Sequence, residues 1–466
     1  MNRHRLLTIL GMTALLAVPA LPAVPALLAV PASQGAEAVR LSLPEALARA
    51  REQALEVTAA DARAEAAGAQ LRQARAYRLP TVQLQEMWNR TDSPAEAFAF
   101  QLNQERFSFP AFTQSDPNDP DPLSTALTRL EVSLPVYTGG ELSKRVEQAR
   151  LNAEAAEIRR SWTADGAALA AAEAYVMLAQ AREHAALLET SRETVARHVE
   201  LARAYVDQGM LVRSELLRAD VELARIEDML AEARGNARVA EANLSFRLGA
   251  DLATSWELDP LPAEPAPGPE LKEWLALAGS RPDLEAARQM LAAGELEDDI
   301  RRAALLPRVG LVLRHDRFDD RPLGTHGGSS YVAAMVGWEL WSGGRHRAAI
   351  EAARAEAEAG RSDVERMDRG IRLEVEQAWQ ELQTALARRQ TAGRSVESAR
   401  EAERIVEERF KSGIVKTIDL LDAETARREA ETRELVARAQ AQLAAFRLAV
   451  KSGKSPESAL GEEATP

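Results

Sequence analysis

The segment Ser-Leu-Pro-Val-Tyr-Thr-Gly-Gly (residues 133–140) recurs in this chain as Trp-Glu-Leu-Trp-Ser-Gly-Gly (residues 338–344). Each copy ends in a Gly-Gly pair, and Gly139 and Gly343 are 204 residues apart. A lone glycine follows each pair after 70 residues, at Gly209 and at Gly413. The intervening stretches are rich in Ala, Glu and Arg and nearly free of Gly and Pro, which predicts two equal helical arms, each about 100 Å long.

Alternating segments precede the Gly-Gly pair in each half of the chain. Apolar and polar residues alternate with a period of two, which predicts β-strands with one apolar face. These segments are residues 81–89, 129–136, 308–313 and 332–340. A helix precedes each strand pair; the first begins at the capping box of Ser42 and Glu45 and ends before Pro80, and the second ends before Pro307.

The N-terminus predicts export. Arg3, His4 and Arg5 precede a long apolar stretch, and Ala36-Glu37-Ala38 supplies a cleavage site of small residues, which is the pattern of a secretory signal peptide. Four prolines within the stretch disfavour a retained membrane anchor. Elsewhere the chain lacks the apolar run that a transmembrane helix needs, so a membrane protein of this sequence must span the bilayer with β-strands.

The duplication divides the chain into five parts. They are a signal peptide, a first repeat of helix, two strands and long helical hairpin, a Pro-rich linker, a second repeat and a disordered tail. Their bounds are residues 1–38, 39–250, 251–269, 270–453 and 454–466. The first repeat carries 23 extra residues between its strands, within a polar segment at 93–122.

Composition excludes several classes of function. The 466 residues include no cysteine, which rules out disulfides, a thiol nucleophile and a lipid anchor on cysteine. The net charge of −13 disfavours nucleic acid as a partner. The six histidines are scattered, and the sequence has neither a nucleophile elbow nor a phosphate-binding loop. We therefore expect no enzyme activity, no cofactor and no bound metal.

Four strands cannot close a membrane barrel alone, because lipid does not tolerate open sheet edges. The chain must therefore pool its strands with other copies of itself. Two copies give a plugged eight-stranded barrel, and three copies give twelve strands and a pore. The predicted interfacial girdle consists of Trp88, Tyr137, Trp338 and Trp341.

The sequence resembles the TolC family of outer-membrane efflux proteins. The resemblance covers nearly the whole mature chain and rests on six features. They are Leu-Ser-Leu-Pro-Glu-Ala-Leu at 41–47, the helix ending at Pro80, two strand–Gly-Gly–helix junctions (Gly139, Gly140, Gly343, Gly344) and two turns, at 209–217 and 410–422. Each motif alone is generic, whereas the duplicated order with matched spacing is specific.

The resemblance implies a mostly α-helical protein with membrane β-strands. Its protomer is a duplicated β-β-α-hairpin, and a homotrimer forms a twelve-stranded outer-membrane β-barrel continued by a long α-helical tunnel in the periplasm. Such proteins are passive exit ducts, coupled by a periplasmic adaptor protein to an inner-membrane pump. The alternatives are a type I protein secretion duct and a periplasmic coiled-coil protein without a pore.

The resemblance also assigns roles to the two helical turns, which form the inner tip in the family. Adaptor hairpins dock there, and the helices move there to open the duct. The tip residues in this sequence are Gly209, Arg213, Ser214, Glu215, Phe410, Gly413 and Thr417. As a simpler interpretation, these are ordinary helix–turn–helix links with glycine at the C-cap.

Asp419 and Asp422 match the positions whose carboxylates line the constriction in the family. They share one helix face, so threefold symmetry would stack two rings of acid in the lumen. The alternative is a solvated pair, with Asp419 as an N-cap. Val415 and Phe410 replace the arginine and tyrosine of the family's closing latch, so the latch must differ here, with Lys416, Arg213 or Glu215 as candidates.

The extra segment predicts an extracellular loop with several phenylalanines, four of which are candidates for the outer mouth. Two outcomes are equally compatible with the sequence. Either the aromatic side chains fold inward and narrow the outer mouth, or the loop packs on neighbouring loops of the trimer. These aromatic residues are Phe100, Phe107, Phe109 and Phe112.

Overall fold

The computed structural model describes residues 38–114, 116–261, 270–412 and 414–460. The predicted signal peptide lies outside this part except for Ala38, and so do Gly413 and residues 262–269 of the Pro-rich linker. The first half contains β1 (Val39–Leu41), α1 (Leu43–Gln53), α2 (Leu55–Ala76), β2 (Thr81–Thr91), α3 (Pro94–Asn103), α4 (Phe109–Gln114), β3 (Leu123–Tyr137), α5 (Glu141–Asp207) and α6 (Arg213–Arg247). The rest contains β4 (Trp256–Leu258), α7 (Leu271–Ala278), α8 (Pro282–Ala303), β5 (Arg308–Asp319), β6 (Gly327–Gly337), α9 (Arg345–Lys411), α10 (Thr417–Lys451) and a 3₁₀ helix (Pro456–Ala459).

The two long arms are equal, as the sequence predicts, but the prediction from the recurrence of Phe-Arg-Leu (residues 246–248 and 446–448), that the second return arm is four residues shorter, is wrong. Helices α5 and α9 each have 67 residues, and the return helices α6 and α10 each have 35. At about 1.5 Å per residue, α5 and α9 are each about 100 Å long. In the described ranges, no helix combines the length and hydropathy that a membrane span requires.

Helix α5 has neighbours on two sides. It packs against α2 and α6 along one side and against α8 and α10 along the other, and α9 packs on α8 and α10. About half of the buried residues of α5 are alanines, including Ala168, Ala171 and Ala172. Small side chains allow the helices to approach closely over their whole length, so the core is long and thin.

The strands β2, β3, β5 and β6 form one antiparallel sheet in that order. The contact between β3 and β5 joins the two repeats. The strands extend beyond the alternating segments: β3 begins at Leu123, and β5 continues to Asp319. Ladder hydrogen bonds come from the backbone, so pairing continues past the point where side-chain alternation stops. Strand β6 ends at Gly337, and Trp338 therefore follows the sheet.

Both helices that precede the strand pairs are broken, where the sequence predicts single helices. The break between α1 and α2 is at Ala54, whose backbone is extended (φ −62°, ψ 137°). Between α7 and α8 the break falls at residues 279–281. Helix α1 packs into a core with β1, β4 and α5, and this tertiary packing outweighs the local helix propensity.

A short parallel pair of β1 and β4 was not predicted from the sequence. It joins the start of the first repeat to the segment that follows α6. The hydroxyl of Tyr175 lies 3.0 Å from the carbonyl oxygen of Leu41 and 2.7 Å from that of Asp259. Burial raises the pKa of Tyr175 to about 12, so the hydroxyl keeps its proton and ties both strands to α5.

The prediction of a disordered tail from residue 454 is wrong for the part that the structure describes. Pro456–Ala459 form a 3₁₀ helix. The guanidinium of Arg51 donates to the carboxylate of Glu457 (2.8 Å) and to that of Asp165 (2.9 Å). Arg51, Asp165 and Glu457 come from three distant segments of the chain. No local sequence pattern reveals that they form one half-buried ionic cluster.

The strand–helix junctions use glycine for its backbone conformation. Gly139 and Gly343 have φ of +67° and +61°, and Gly140 and Gly344 have φ of +88° and +87°. Residues with a Cβ atom adopt this left-handed region only at a cost in energy. The two junctions differ in their surroundings: a Cβ on Gly139 would lie 2.6 Å from the carbonyl oxygen of Ala303, whereas a Cβ on Gly343 would meet nothing within 4 Å.

We expect Gly139→Ala to destabilise the protein more than Gly343→Ala. Both variants incur about 1–2 kcal/mol from the left-handed backbone. Only Gly139→Ala adds a clash with backbone atoms of the helix end at Ala303, which costs a further ~1–3 kcal/mol. Denaturant unfolding of the two variants in detergent, followed by the helical circular-dichroism signal, measures the difference. Identical midpoints would contradict the close approach at Gly139.

Candidate functional site at the helical tip

The first helical turn is a glycine-terminated C-cap. Gly209 has φ +74°, and its N–H donates to the carbonyl of Val206 at 2.9 Å. The N–H of Met210 donates to the carbonyl of Tyr205 at 2.8 Å. This pair of bonds is a Schellman motif, which satisfies the last carbonyls of α5 and reverses the chain toward α6.

The second turn has the same hydrogen bond at the same spacing. The N–H of Ile414 donates to the carbonyl of Arg409 at 2.9 Å, and both residues lie 204 positions after their counterparts in the first turn. Gly413 itself lies outside the described residues. The shared bond indicates that the duplication extends to the backbone geometry of the tip.

Helix α10 begins immediately after the second turn. The carboxylate of Asp419 accepts a hydrogen bond from the N–H of Lys416 at 2.9 Å, which fits a residue in the first turn of a helix. Asp422 lies one turn further on, and both aspartates are exposed. Asp419 therefore has a capping role, and the lumenal role of the two carboxylates stays a prediction.

The predicted tip residues fall into two groups. Arg213 and Ser214 are exposed in the first turn of α6, next to Gly209. In contrast, Thr417 and Phe410 are buried, with exposed fractions of 1% and 6%. The surface of this tip therefore includes Arg213 and Ser214, whereas the side chains of Thr417 and Phe410 are packed in its interior.

Phe410 contacts the other hairpin. Its ring centroid lies 6.3 Å from that of Tyr205, with the ring planes tilted by 41°. Tyr205 belongs to α5 and Phe410 to α9, so one aromatic pair joins the ends of the two long helices.

Glu215 is half-buried, and its Oε2 atom has no hydrogen-bond partner among the described residues.

Sequence reasoning missed an exposed apolar surface at the tip. Large apolar side chains lie on the two turns and the first turns of α6, with more than half of each accessible to solvent. They are Met210, Val212, Leu217, Val221 and Ile414. Contiguous apolar exposure marks a contact surface more often than it occurs without function. The signal was present in the Met-Leu-Val and Ile-Val segments that follow the glycines.

A buried ionic cluster lies behind the tip and was also missed. Arg428 on α10 pairs with Glu424 at 3.0 Å and with Glu222 on α6 at 2.9 Å. Arg427 pairs with Glu403 on α9 at 2.6 Å and with Glu431 at 2.6 Å. Helix α10 thus forms ion pairs both with α6 of the first hairpin and with α9 of its own hairpin. Such residues look solvated in an Ala/Glu/Arg-rich sequence, because only packing reveals which ones are buried.

Burial shifts the titration of groups near this cluster. Desolvation raises the pKa of Glu424, although Arg428 opposes the shift. The folded protein therefore takes up this proton at a higher pH than the unfolded chain. Lowering the pH through the raised pKa favours the folded state, and the gain ends near the ordinary carboxyl pKa. On α5, burial lowers the pKa of His198 and favours its neutral form.

Removing the charge of Arg428 is expected to destabilise the helical region strongly. Arg428→Met removes the cation that Glu424 and Glu222 share and leaves Glu424 paired with Arg427, at 3.3 Å. Breaking a buried pair costs about 3–5 kcal/mol. Arg404→Met is the matched control, because Arg404 also pairs with two carboxylates but is exposed. Exposed pairs contribute about 0–1 kcal/mol. Thermal unfolding in detergent compares the variants, and equal midpoints would refute a structural role of the cluster.

In the described ranges, no group of three or more His, Asp or Glu side chains is placed to hold a metal ion. The duplicated hairpins, the glycine turns at their ends and the four-stranded sheet together form the arrangement that is expected of the outer-membrane efflux class.

The comparisons with known proteins agree with this class. The pattern of the outer membrane efflux protein family matches residues 46–250 and 276–454, and the chain belongs to this family. The gap between the two matched ranges includes the predicted Pro-rich linker.

Two curated relatives are similar over part of their length. Protein CyaE of Bordetella pertussis is 29% identical over 289 residues, and outer membrane efflux protein BepC of Brucella suis is 26% identical over 258 residues. The matches cover 60% and 54% of this chain, and the chain spans 60% and 55% of these relatives. The outer membrane protein VceC of Vibrio cholerae has the same fold, with a TM-score of 0.73, 19% identity and coverage of 89% and 96% of the two chains.

Proposed function

We propose that this chain is the outer-membrane exit duct of a tripartite efflux pump. Three copies form a passive channel, whose helical tip docks on a periplasmic adaptor and thereby on an inner-membrane transporter. The proposal rests on the four-stranded sheet, whose two faces differ in polarity. The helical tunnel then lies in the periplasm, and no catalytic step is required of the chain.

One face of the sheet is apolar in the rows nearest the helices, whereas its outer rows contain Glu86, Thr128 and Arg317. The strand register places Val82, Val132, Leu313 and Val332 in one row across the four strands. The apolar residues of this face are Val82, Leu84, Leu130, Val132, Leu134, Val309, Leu311, Leu313, Val332, Ala334 and Val336. Several of them are more than 60% exposed, including Val82, Val332 and Val336. Lipid is the environment that such a face fits.

The opposite face is polar and contains charged side chains. The guanidinium of Arg129 donates to both carboxylate oxygens of Asp316, at 2.8 and 3.1 Å. The guanidinium of Arg314 lies 4.9 Å from the ring centroid of Tyr331. Charges at membrane depth are tolerated where they face water or each other, so this face is suited to a lumen.

The sheet has two open edges. Strands β2 and β6 lie at its ends, and neither pairs with a further strand in the described part of the chain. Each unpaired backbone group in lipid costs several kcal/mol, which only closure removes. Three copies supply twelve strands, enough for a barrel with an aqueous interior. The exposed Trp88, Trp338 and Trp341 flank the apolar face as interfacial residues do.

The two alternatives fit less well. A periplasmic coiled-coil protein without a pore does not need an apolar sheet face with open edges. A type I protein secretion duct would use the same protomer and differ only in its pump. The family to which the chain belongs favours a role in efflux. In either case the pump, and not the duct, would determine which substrate is exported.

Membrane fractionation and planar-bilayer recording test the proposal. We expect the protein to need detergent, to migrate as a heat-modifiable trimer and to give a small conductance that prefers cations. A monomeric species that does not conduct would overturn the duct. The docking part is tested separately, by cross-linking the exposed tip residues to a periplasmic adaptor protein produced in the same cells.

A further inference from the structure

We propose that residues 93–114 form a lid over the outer end of the duct, folded onto the polar face of the sheet. The inference rests on the proposed function in one respect: the polar face is taken to line the lumen. The lid consists of α3, α4 and the turn between them. Its position is defined by three sets of contacts.

Gln104 makes the first contact with the sheet. It is fully buried, and its Nε2 atom donates to the hydroxyl of Thr125 at 2.8 Å and to the carbonyl oxygen of Ser124 at 3.1 Å. Thr125 is four residues from Arg129 on β3, so both side chains lie on the polar face. The end of α3 is therefore bound to that face and not to the lipid-facing side.

The second set of contacts reaches β5 and β6. The rings of Phe100 and Phe318 lie with centroids 6.5 Å apart. A Cβ on Gly327 would lie 1.8 Å from the carbonyl oxygen of Asn103, so the lid backbone packs against this glycine. Phe318 pairs with Gly327 and with Leu127, which places the row on the same face as Thr125. The lid thus extends over three of the four strands.

The third set is electrostatic. The guanidinium of Arg106 lies 3.0 Å from the carboxylate of Asp320 and 3.7 Å from that of Asp319. Both aspartates belong to the end of β5 and its turn to β6. These ion pairs join the connection between β2 and β3 to the connection between β5 and β6.

The lid has a small aromatic core of its own. Phe98 lies 5.5 Å from Phe107 and 5.4 Å from Phe112, and Phe107 lies 5.6 Å from Phe112, measured between ring centroids. Phe109 extends from this cluster with 71% of its surface exposed. Under threefold symmetry, three such clusters surround the outer opening. An apolar constriction of this kind admits small solutes and excludes bulky polar ones.

The absence of cysteine makes the lid testable by thiol labelling. Gln83→Cys places a thiol on the polar face near the inner end of β2, and Leu84→Cys places one on the apolar face. Each cysteine variant is made in two backgrounds. One background keeps the native lid, and in the other a short Gly-Ser turn replaces residues 93–121. Thr91 and Leu123 are cross-strand partners, so a short turn can close this hairpin. Intact cells are treated with a small maleimide or with a maleimide that carries a long polyethylene glycol chain.

We expect the small reagent to label Gln83→Cys with and without the lid. The bulky reagent should react on the order of tenfold faster when the lid is removed. Leu84→Cys should stay unlabelled. The double variant Gln104→Ala with Arg106→Ala, which detaches the lid without shortening the chain, should behave like the deletion. Arg321→Ala, on the exposed β5–β6 turn, is its matched control and should behave like the native protein.

The outcomes separate the lid from the duct. Equal labelling of Gln83→Cys by the bulky reagent in the native, lidless and detached proteins overturns the lid and leaves the duct in place. Labelling of Leu84→Cys instead of Gln83→Cys would reverse the two faces and overturn the proposed function as well. If the lidless variant fails to form a heat-modifiable trimer, the detached variant decides the result.

Discussion

Replacing Gly209 with valine is expected to abolish export while the trimer still assembles and inserts. The backbone at Gly209 is left-handed, with φ of +74°. A non-glycine residue there costs about 1–2 kcal/mol, and a β-branched side chain is the least tolerant of this region. The turn therefore changes conformation, and the exposed apolar residues that follow it no longer present the surface proposed for the adaptor.

Asparagine at the same position is the matched control. A Cβ on Gly209 meets nothing within 4 Å, so the native backbone has room for a side chain. Asparagine tolerates the left-handed region, and Gly209→Asn should retain export. The comparison thus separates backbone conformation from side-chain volume.

Export by cells that carry each variant, set against the amount of heat-modifiable trimer in the outer membrane, measures the effect. Normal export by Gly209→Val would remove the proposed docking role of the first turn. Loss of export by both variants would point to side-chain volume at the interface and contradict the conformational explanation.

The second large effect is expected for Asp419→Asn combined with Asp422→Asn. If both carboxylates face the lumen at the inner end, a trimer carries up to six of them in a confined space. Such rings lower the energy of cations and repel anions. The same rings are expected to bind multivalent cations and so to block the native channel. The double variant should therefore lose much of its cation preference and be blocked less by multivalent cations.

The structure makes this double variant a clean test. Asp419 accepts a hydrogen bond from the N–H of Lys416, and the amide oxygen of asparagine can accept the same bond. The start of α10 is therefore preserved while the charge is removed. Glu227→Gln with Asp228→Asn is the control, because this pair is also acidic and exposed but lies on α6.

Reversal potentials in a salt gradient give the measurement. A shift toward zero in the Asp419/Asp422 variant, with no change in the control, would support the lumenal rings. Equal reversal potentials for the native protein and the variant would return both aspartates to a role in helix capping and solvation.

The environment of several candidate tip residues differs from what the sequence suggested. The glycine turns were visible in the sequence because their spacing is repeated. Phe410 and Thr417 were grouped with the docking surface, yet they are buried between helices. Burial on a helix depends on which neighbours pack against it, and a chain rich in Ala, Glu and Arg shows weak amphipathic contrast between its faces.

The sequence by itself determined the duplicated order, the four strands and the equal length of the helical arms. These follow from local periodicity, from helix breakers and from glycines at conserved spacing within one chain. The tertiary structure alone decided that residues 93–114 lie on the polar face and that Arg427 and Arg428 join the hairpins. Thr125, Phe318 and Gly327 become neighbours only through strand register across about two hundred residues. Contacts of that range depend on how the elements pair, which local sequence does not encode.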